Sequence, residues 1–267
     1  MRLGISIIWG EKVKVIAIIN QKGGVGKTTT SVNLCHALAE AGKKVTAIDL
    51  DPQGHLAVSL GVRLQQQGGI DEAMLKEKNI RQQIIAVRNN LQLIPSGPKL
   101  KEIEQLTESR SPRGLLLKNA LQGNLNDQDF VFIDCPPSAG LLIANALIAT
   151  DEILIPMTSD FLALQGLSHL MGTVKRFEKS LQKKYKALLV MSRYAPTRRI
   201  SSQVLSSLLA YFPGQVLATI IREAAVLAEC PSFGKTILEY SPKSRSASDF
   251  RSLANDFLEG RVMHESK

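Results

Sequence analysis

The run "KVKVIAIIN" (12–20) passes without a break into "QKGGVGKTTTSVNLCHALAEAG" (21–42). An apolar run this short reads as a buried strand, and the segment from Thr28 has helical spacing and closes at Gly42. Between them stand three glycines and two lysines, Lys22 and Lys27. Successive backbone N–H groups in a glycine turn, together with the helix N-terminus beyond it, form an anion cradle. Strand, glycine loop and helix in that order is the context that a phosphate-binding loop requires.

The rhythm continues along the chain. Strands are predicted at 43–51, 90–96, 129–137, 151–157, 185–194 and 214–221, and helices at 28–42, 140–150, 163–182, 201–212 and 246–262. Strands that are nearly continuous runs of Val, Ile and Leu are buried on both faces. The expected fold is therefore α/β, a doubly wound, mostly parallel sheet with helices on both faces. With no long linker or repeat, 1–267 reads as a single doubly wound domain carrying the phosphate-binding loop, with 1–12 as a short N-terminal extension. The opening "MRLGISIIWG" has too short an apolar stretch for a secretion signal, and no small-residue cleavage site follows it. Residues 61–89, where "LQQQGG" interrupts the rhythm, are expected to cap the sheet as loop and helix.

No apolar run approaches the roughly 18 residues needed to span a bilayer. Cys35, Cys135 and Cys230 are far apart and form no C-x-x-C pair, which fits buried thiols in a reducing cytosol. The net charge of +9 is uneven: residues 1–174 hold 17 basic and 16 acidic side chains, residues 175–267 hold 16 and 8. The excess at the C-terminal end is either a solvated face or a surface for nucleic acid or acidic lipid.

The loop departs from G-x-x-x-x-G-K-[ST] at one place, since Gln21 stands where the first glycine belongs. Gly23, Gly24, Val25, Gly26, Lys27, Thr28 and Thr29 would hold the phosphates, with Lys27 on the β- and γ-phosphates and the Thr28 hydroxyl on Mg²⁺. Further oxygen ligands for that ion are expected from acids at strand ends. Asp134 closes "FVFID", and Asp49 and Asp51 close "AIDLD", projecting to one side by period-two alternation. Asp49 is assigned to the metal shell with Asp134, and Asp51 to orienting the attacking water.

"KGGVGKTTT", "DLDPQG", "FIDCPPS" and "AECPSFGKTI" together resemble the ParA/Soj branch of the deviant Walker A ATPases, relatives of MinD. The likeness covers nearly the whole chain and is to the small, Soj-like type. It implies an ATP hydrolase, weak alone and stimulated by a ParB-like or other adaptor. It also implies a homodimer with ATP sandwiched, in which the signature lysine, here Lys22, crosses to the partner's phosphates. A lysine at the loop mouth points away from its own cradle, and only a facing subunit's polyphosphate is expected to neutralise it. Such a dimer binds DNA without sequence preference through surface cations. Arg193, Arg198, Arg199, Lys235, Lys243 and Arg245 are the candidates here, and Pro231 lies in the segment that usually runs beside the adenine. The implied place is cytoplasmic, on the nucleoid when ATP is bound, and the implied task is plasmid or chromosome partitioning.

Where the family usually reads "IPRNVRLSEAPS", this chain has "IREAAVLAECPS", with Arg222 in place of Pro and Glu223, Ala224 and Val226 in place of Arg, Asn and Arg. "MTSDFLALQGL" lacks the Glu often found before "GL". Two other classes share the fold. A MinD-like membrane-cycling ATPase needs a C-terminal amphipathic anchor, and "FLEGRVMHESK" is poor in bulky apolar residues. A biosynthetic or metal-cluster enzyme needs cysteines at a dimer axis or a C-x-x-C pair. A positioning ATPase for a protein cargo would use nearly the same chain.

Overall fold

The computed structural model describes residues 13–63, 68–105 and 113–264. The expected extension at 1–12 lies outside the described residues. Among the described residues seven strands form one sheet: β1 (Lys14–Ile18), β2 (Val45–Asp49), β3 (Ile85–Arg88), β4 (Leu91–Ile94), β5 (Phe130–Asp134), β6 (Glu152–Thr158) and β7 (Lys186–Ser192). Their order is β3-β4-β2-β5-β1-β6-β7, parallel throughout except for β3. The helices are α1 (Lys27–Glu40), α2 (His55–Ser59), α3 (Ile70–Met74), α4 (Leu100–Gln105), α5 (Leu116–Leu121) and α6 (Leu141–Ala149). They continue with α7 (Phe161–Leu181), α8 (Arg199–Tyr211), α9 (Ala225–Glu229), α10 (Ile237–Tyr240) and α11 (Arg245–Glu259).

Burial on both faces of the sheet follows from strand alternation. Ile16 and Ile18 of β1 enter one core with Leu34, Leu38 and Phe250 from α1 and α11. Val15 and Ala17, with Ile19 just beyond the strand, enter the other, with Leu142, Leu147 and Leu167 from α6 and α7. The doubly wound expectation therefore holds.

Two local expectations need correction. The segment 214–221 is not a ladder strand: it forms an isolated bridge to β7 at Leu189↔Val216, returns to it where Ile221 N donates to Met191 O at 2.8 Å, and is followed by a second isolated bridge beyond β7, Tyr194↔Arg222. Between these points Ala218 turns its N–H to Arg261 O, so the backbone leaves the sheet edge for the C-terminal tail. Residues 61–89 contain helix as expected, but also β3, an antiparallel edge strand that pairs with β4 through an irregular register at Ala86/Arg88.

One close backbone crossing fixes the wall of the site. Gly61 after α2 and Gly234 before α10 both have left-handed φ, 81° and 60°. A Cβ on Gly234 would lie 2.5 Å from Gly61 Cα. Arg88 staples the crossing, donating to Leu60 O at 2.6 Å and Gly234 O at 3.1 Å while pairing with Glu239 at 2.9 Å. Gly234→Ala combines an unfavourable φ with a backbone clash and is expected to lower unfolding free energy by roughly 2–3 kcal/mol. Urea denaturation measures this, and a change under about 0.5 kcal/mol, the usual range of neutral surface substitutions, would contradict the crossing.

Candidate nucleotide site

The C-terminal ends of β2, β5 and β1 lie side by side, with Asp49 opposite Asp134 and Asp134 opposite Ile18. From Ile18 the chain runs through the glycine loop into α1. Gly24 and Gly26 take φ 73° and 87°, a region L side chains rarely enter, and so turn the backbone over into the first helical residue, Lys27. Lys27 is buried, and its ammonium donates back to Lys22 O at 3.3 Å, so the loop curls around its own cation. Burial lowers the Lys27 pKa, and the Asp134 and Asp51 carboxylates oppose that shift. Asn20 secures the loop mouth, accepting from Lys22 N at 3.0 Å and donating to Pro156 O at 2.8 Å.

Asp134 sits beneath the loop, fully buried. Thr28 Oγ1 and Ser31 Oγ, one helical turn apart on α1, each donate to one of its oxygens at 2.7 Å. Burial pushes its pKa from 3.8 up to about 6, against the pull of the two hydroxyls and the Lys27 ammonium. An acid whose folded pKa is raised binds its proton more tightly when folded, so its contribution to stability is lost as pH rises from about 4 to about 6. The rise from 3.8 to about 6 corresponds to at most about 3 kcal/mol at neutral pH. Asp134→Asn is therefore expected to stabilise the nucleotide-free protein at pH 8 by about 1–3 kcal/mol, with the gain gone near pH 4. Denaturant titrations at the two pH values measure it, and a destabilised variant at pH 8 would contradict this account.

Asp49 and Asp51 do not converge as the alternation predicted. β2 ends at Asp49, which turns inward, fully buried. Its oxygens accept from Asp51 N at 3.2 Å, Leu56 N at 3.1 Å and Ala57 N at 3.3 Å, so Asp49 anchors the start of α2 rather than facing a metal. Burial, with Asp134 alongside, pushes its pKa well up. Asp51 lies past the strand end, half-buried, and opens onto the cavity above the loop. The metal assignment of Asp49 is corrected accordingly.

Lys22 points away from the cradle as expected, but it is not left for a facing subunit's polyphosphate to neutralise: Nζ lies 2.7 Å from both oxygens of Asp160, just ahead of α7. Burial raises the Asp160 pKa, but the Lys22 ammonium and the Thr158 hydroxyl outweigh it and hold the carboxyl below its ordinary value. The pair is substantially exposed, 36 % and 46 %, and such pairs contribute only about 0–1 kcal/mol. A polyanion can therefore displace Asp160 with little loss.

Above the loop lies an open cavity of about 770 Å³, lined by Gly23, Gly24, Gly26, Lys27, Thr28, Thr29 and Asp51, with Arg193, Arg222 and Glu223 opposite. A smaller cavity of about 220 Å³ adjoins Thr28 and Thr29 and is lined by Asn33, His55, Cys230, Pro231 and Lys235. Val25 is buried within the loop, where its carbonyl accepts from Ser192. Arg222 is held by Asp249 at 3.2 Å.

The six expected surface cations differ in their partners. Arg193 and Arg198 both pair with Glu223, at 3.0 and 3.4 Å, beside the loop. Lys235 lines the smaller cavity, Arg199 opens α8, and Lys243 and Arg245 flank the start of α11, all exposed. Sequence reasoning missed Ser31, Asp160, Ser192 and Glu223. Ser31 had a signal, the three-residue spacing from Thr28 on one helix face. The others reach the loop only through long-range folding.

Fold and loop together define a P-loop nucleotide-binding α/β protein. A family model described as an AAA domain matches residues 13–187. The chain is 36 % identical to the chromosome partitioning protein ParA of Myxococcus xanthus, over 94 % of this chain and 89 % of that one. It is 38 % identical to the sporulation initiation inhibitor protein Soj of Bacillus subtilis, over 91 % and 97 %. Among solved structures, the cobyrinic acid a,c-diamide synthase of Mycobacterium smegmatis, with bound ATP analogue and magnesium, superposes with a TM-score of 0.80 at 29 % identity, covering 96 % of this chain and 100 % of that one. The chain belongs to the ParA/MinD superfamily of P-loop ATPases, in its ParA/Soj branch.

Proposed function

We propose that this chain is a ParA-like positioning ATPase, whose ATP-bound homodimer adheres to DNA and is released when a cargo-bearing partner stimulates hydrolysis. The observation that carries this is the pairing of a complete phosphate cradle with a second lysine held at its mouth by an exposed, easily broken ion pair. In this reading Lys27 and the loop amides of Gly23 to Thr29 bind the phosphates of one copy. Lys22 leaves Asp160 for the terminal phosphates of the facing copy's nucleotide, where its charge also stabilises the transition state. Asp51 is open to the cavity; its Oδ1 accepts from Gln53 N at 2.9 Å, and its other oxygen orients the attacking water. Pro231 borders the adenine.

Magnesium suits the donors present. Thr28 offers a hard oxygen lining the cavity, and Asp134 offers another, buried directly behind it at 2.7 Å. Among the described residues no cluster of three or more His, Cys, Asp or Glu side chains is able to hold a metal unaided, so such an ion would take its other ligands from phosphate and water. When bound it would neutralise charge on the phosphates. A metal-cluster enzyme finds no support in the cysteines, all three of which are buried and spaced apart.

Among the described residues no helix is long and apolar enough to cross a membrane. We assign the DNA contact to the exposed cations Arg199, Lys235, Lys243 and Arg245, with Arg198 at its edge. Retention on DNA-coated beads tests the reading. Retention is expected with ATP and Mg²⁺ and to fall with salt, as phosphate contacts do; equal retention with and without ATP would reject the switch.

A further inference from the structure

We propose that Arg193 is a further nucleotide-contacting residue, which reads the terminal phosphate of the triphosphate in its own loop, and that Glu223 masks it while the loop is empty. The inference rests on the loop binding ATP, as proposed above. Two consecutive residues at the end of β7 reach the glycine loop: Ser192 donates to Val25 O, and Arg193 Nη1 donates to Gly24 O at 3.0 Å. A neutral hydroxyl is enough to brace a carbonyl, as Ser192 shows. A guanidinium in the next position adds a full charge at the loop mouth, beside the point where Lys22 departs.

The backbone is bent to put it there. Arg193 has φ 49°, in the left-handed region that non-glycine residues occupy at some energetic cost, as Lys76, Asn90 and Gln182 also do in this chain. The side chain is 55 % exposed and borders both the large cavity and a second cleft of about 240 Å³ lined by Lys22, Asp160 and Arg198. Its hydrogen bonds use two of five N–H donors, on Gly24 O and on Glu223. Glu223 also pairs with Arg198 at 3.4 Å, so it keeps a cation when Arg193 turns to phosphate. A carboxylate facing a polyphosphate cavity repels the ligand unless it is neutralised, and this exchange leaves it neutralised. Charge-assisted, bidentate contacts to phosphate are the strong use of an arginine.

The test is equilibrium binding of fluorescent ATP and ADP analogues with Mg²⁺, performed in a Lys22→Ala background so that a single copy is measured. Arg193→Gln is expected to weaken ATP binding at least tenfold and ADP binding less than twofold. Glu223→Gln, which unmasks the guanidinium, is expected to tighten ATP binding severalfold. Equal loss for both nucleotides would assign Arg193 to loop bracing alone, and loss only in the dimerising protein would assign it to the partner's nucleotide. Either result overturns the inference, as would a Glu223→Gln variant with unchanged or weaker ATP affinity. A parent protein that binds neither nucleotide would bring down the ATPase reading itself; a parent that binds both, with Arg193→Gln indifferent, would remove this inference only.

Discussion

Lys22→Ala is expected to bind ATP with near-normal affinity yet fail to dimerise or remain on DNA. The reason is positional. Lys27 is enclosed by the loop and serves the nucleotide in its own cradle, whereas Lys22 projects outward onto Asp160. Removing the Lys22 ammonium deletes no contact within the cradle, because the loop carbonyl that Lys27 uses is the backbone oxygen of residue 22, which alanine retains. What is lost is the cation for the facing triphosphate, and a cation supplied across such an interface is worth roughly 10³–10⁵ in kcat. Partner-stimulated hydrolysis is therefore expected to vanish along with dimer formation. Asp160→Asn is the complementary change: the lysine stays but its internal partner weakens, and the dimer should form at lower ATP. An ATP-dependent Lys22→Ala dimer would place the intersubunit contact elsewhere.

The second large effect is at Asp51. Asp51→Asn is expected to reduce ATP turnover by roughly 10²–10⁴-fold, the usual contribution of a positioned group that handles the attacking water's proton. Nucleotide binding and dimer formation should persist, so the variant accumulates as an ATP-bound dimer on DNA. Asp49→Asn should behave differently. Its carboxylate accepts three backbone N–H groups, one from Asp51 and two at the start of α2, so the amide loses hydrogen bonds and the effect falls on stability before it falls on turnover. Single-turnover hydrolysis set beside unfolding free energies separates the two acids. A stable, slow Asp49→Asn alongside an active Asp51→Asn would reverse the assignment.

What could be read from sequence follows from the range of the interactions involved. Strands β1, β2, β4, β5, β6 and β7 are apolar runs whose burial on both faces is a local property of their composition; five fall within their predicted spans, and β6 runs one residue past its span, to Thr158. β3, "IAVR", is a four-residue edge strand, partly exposed, and nothing in so short and mixed a segment separates it from loop. The stretch 214–221 is apolar enough for a strand, yet its middle is drawn off by Arg261, a contact the local sequence does not encode. In the site, the loop from Gly23 to Thr29 and Asp134 were legible because strand ends and glycine turns follow simple rules. The Asp49 and Asp51 pair misled because the alternation was carried past the point where β2 stops. The charge partners Asp160 and Glu223 meet Lys22 and Arg193 across separations of 138 and 30 residues, which single-sequence patterns do not resolve.

Sedimentation of the purified chain in saturating ATP and Mg²⁺ tests the central claim most directly, with ADP and nucleotide-free samples alongside. The account predicts twice the monomer mass of 29.2 kDa with ATP and the monomer mass in the other two. A single monomeric species in all three, or a dimer indifferent to nucleotide, would contradict it.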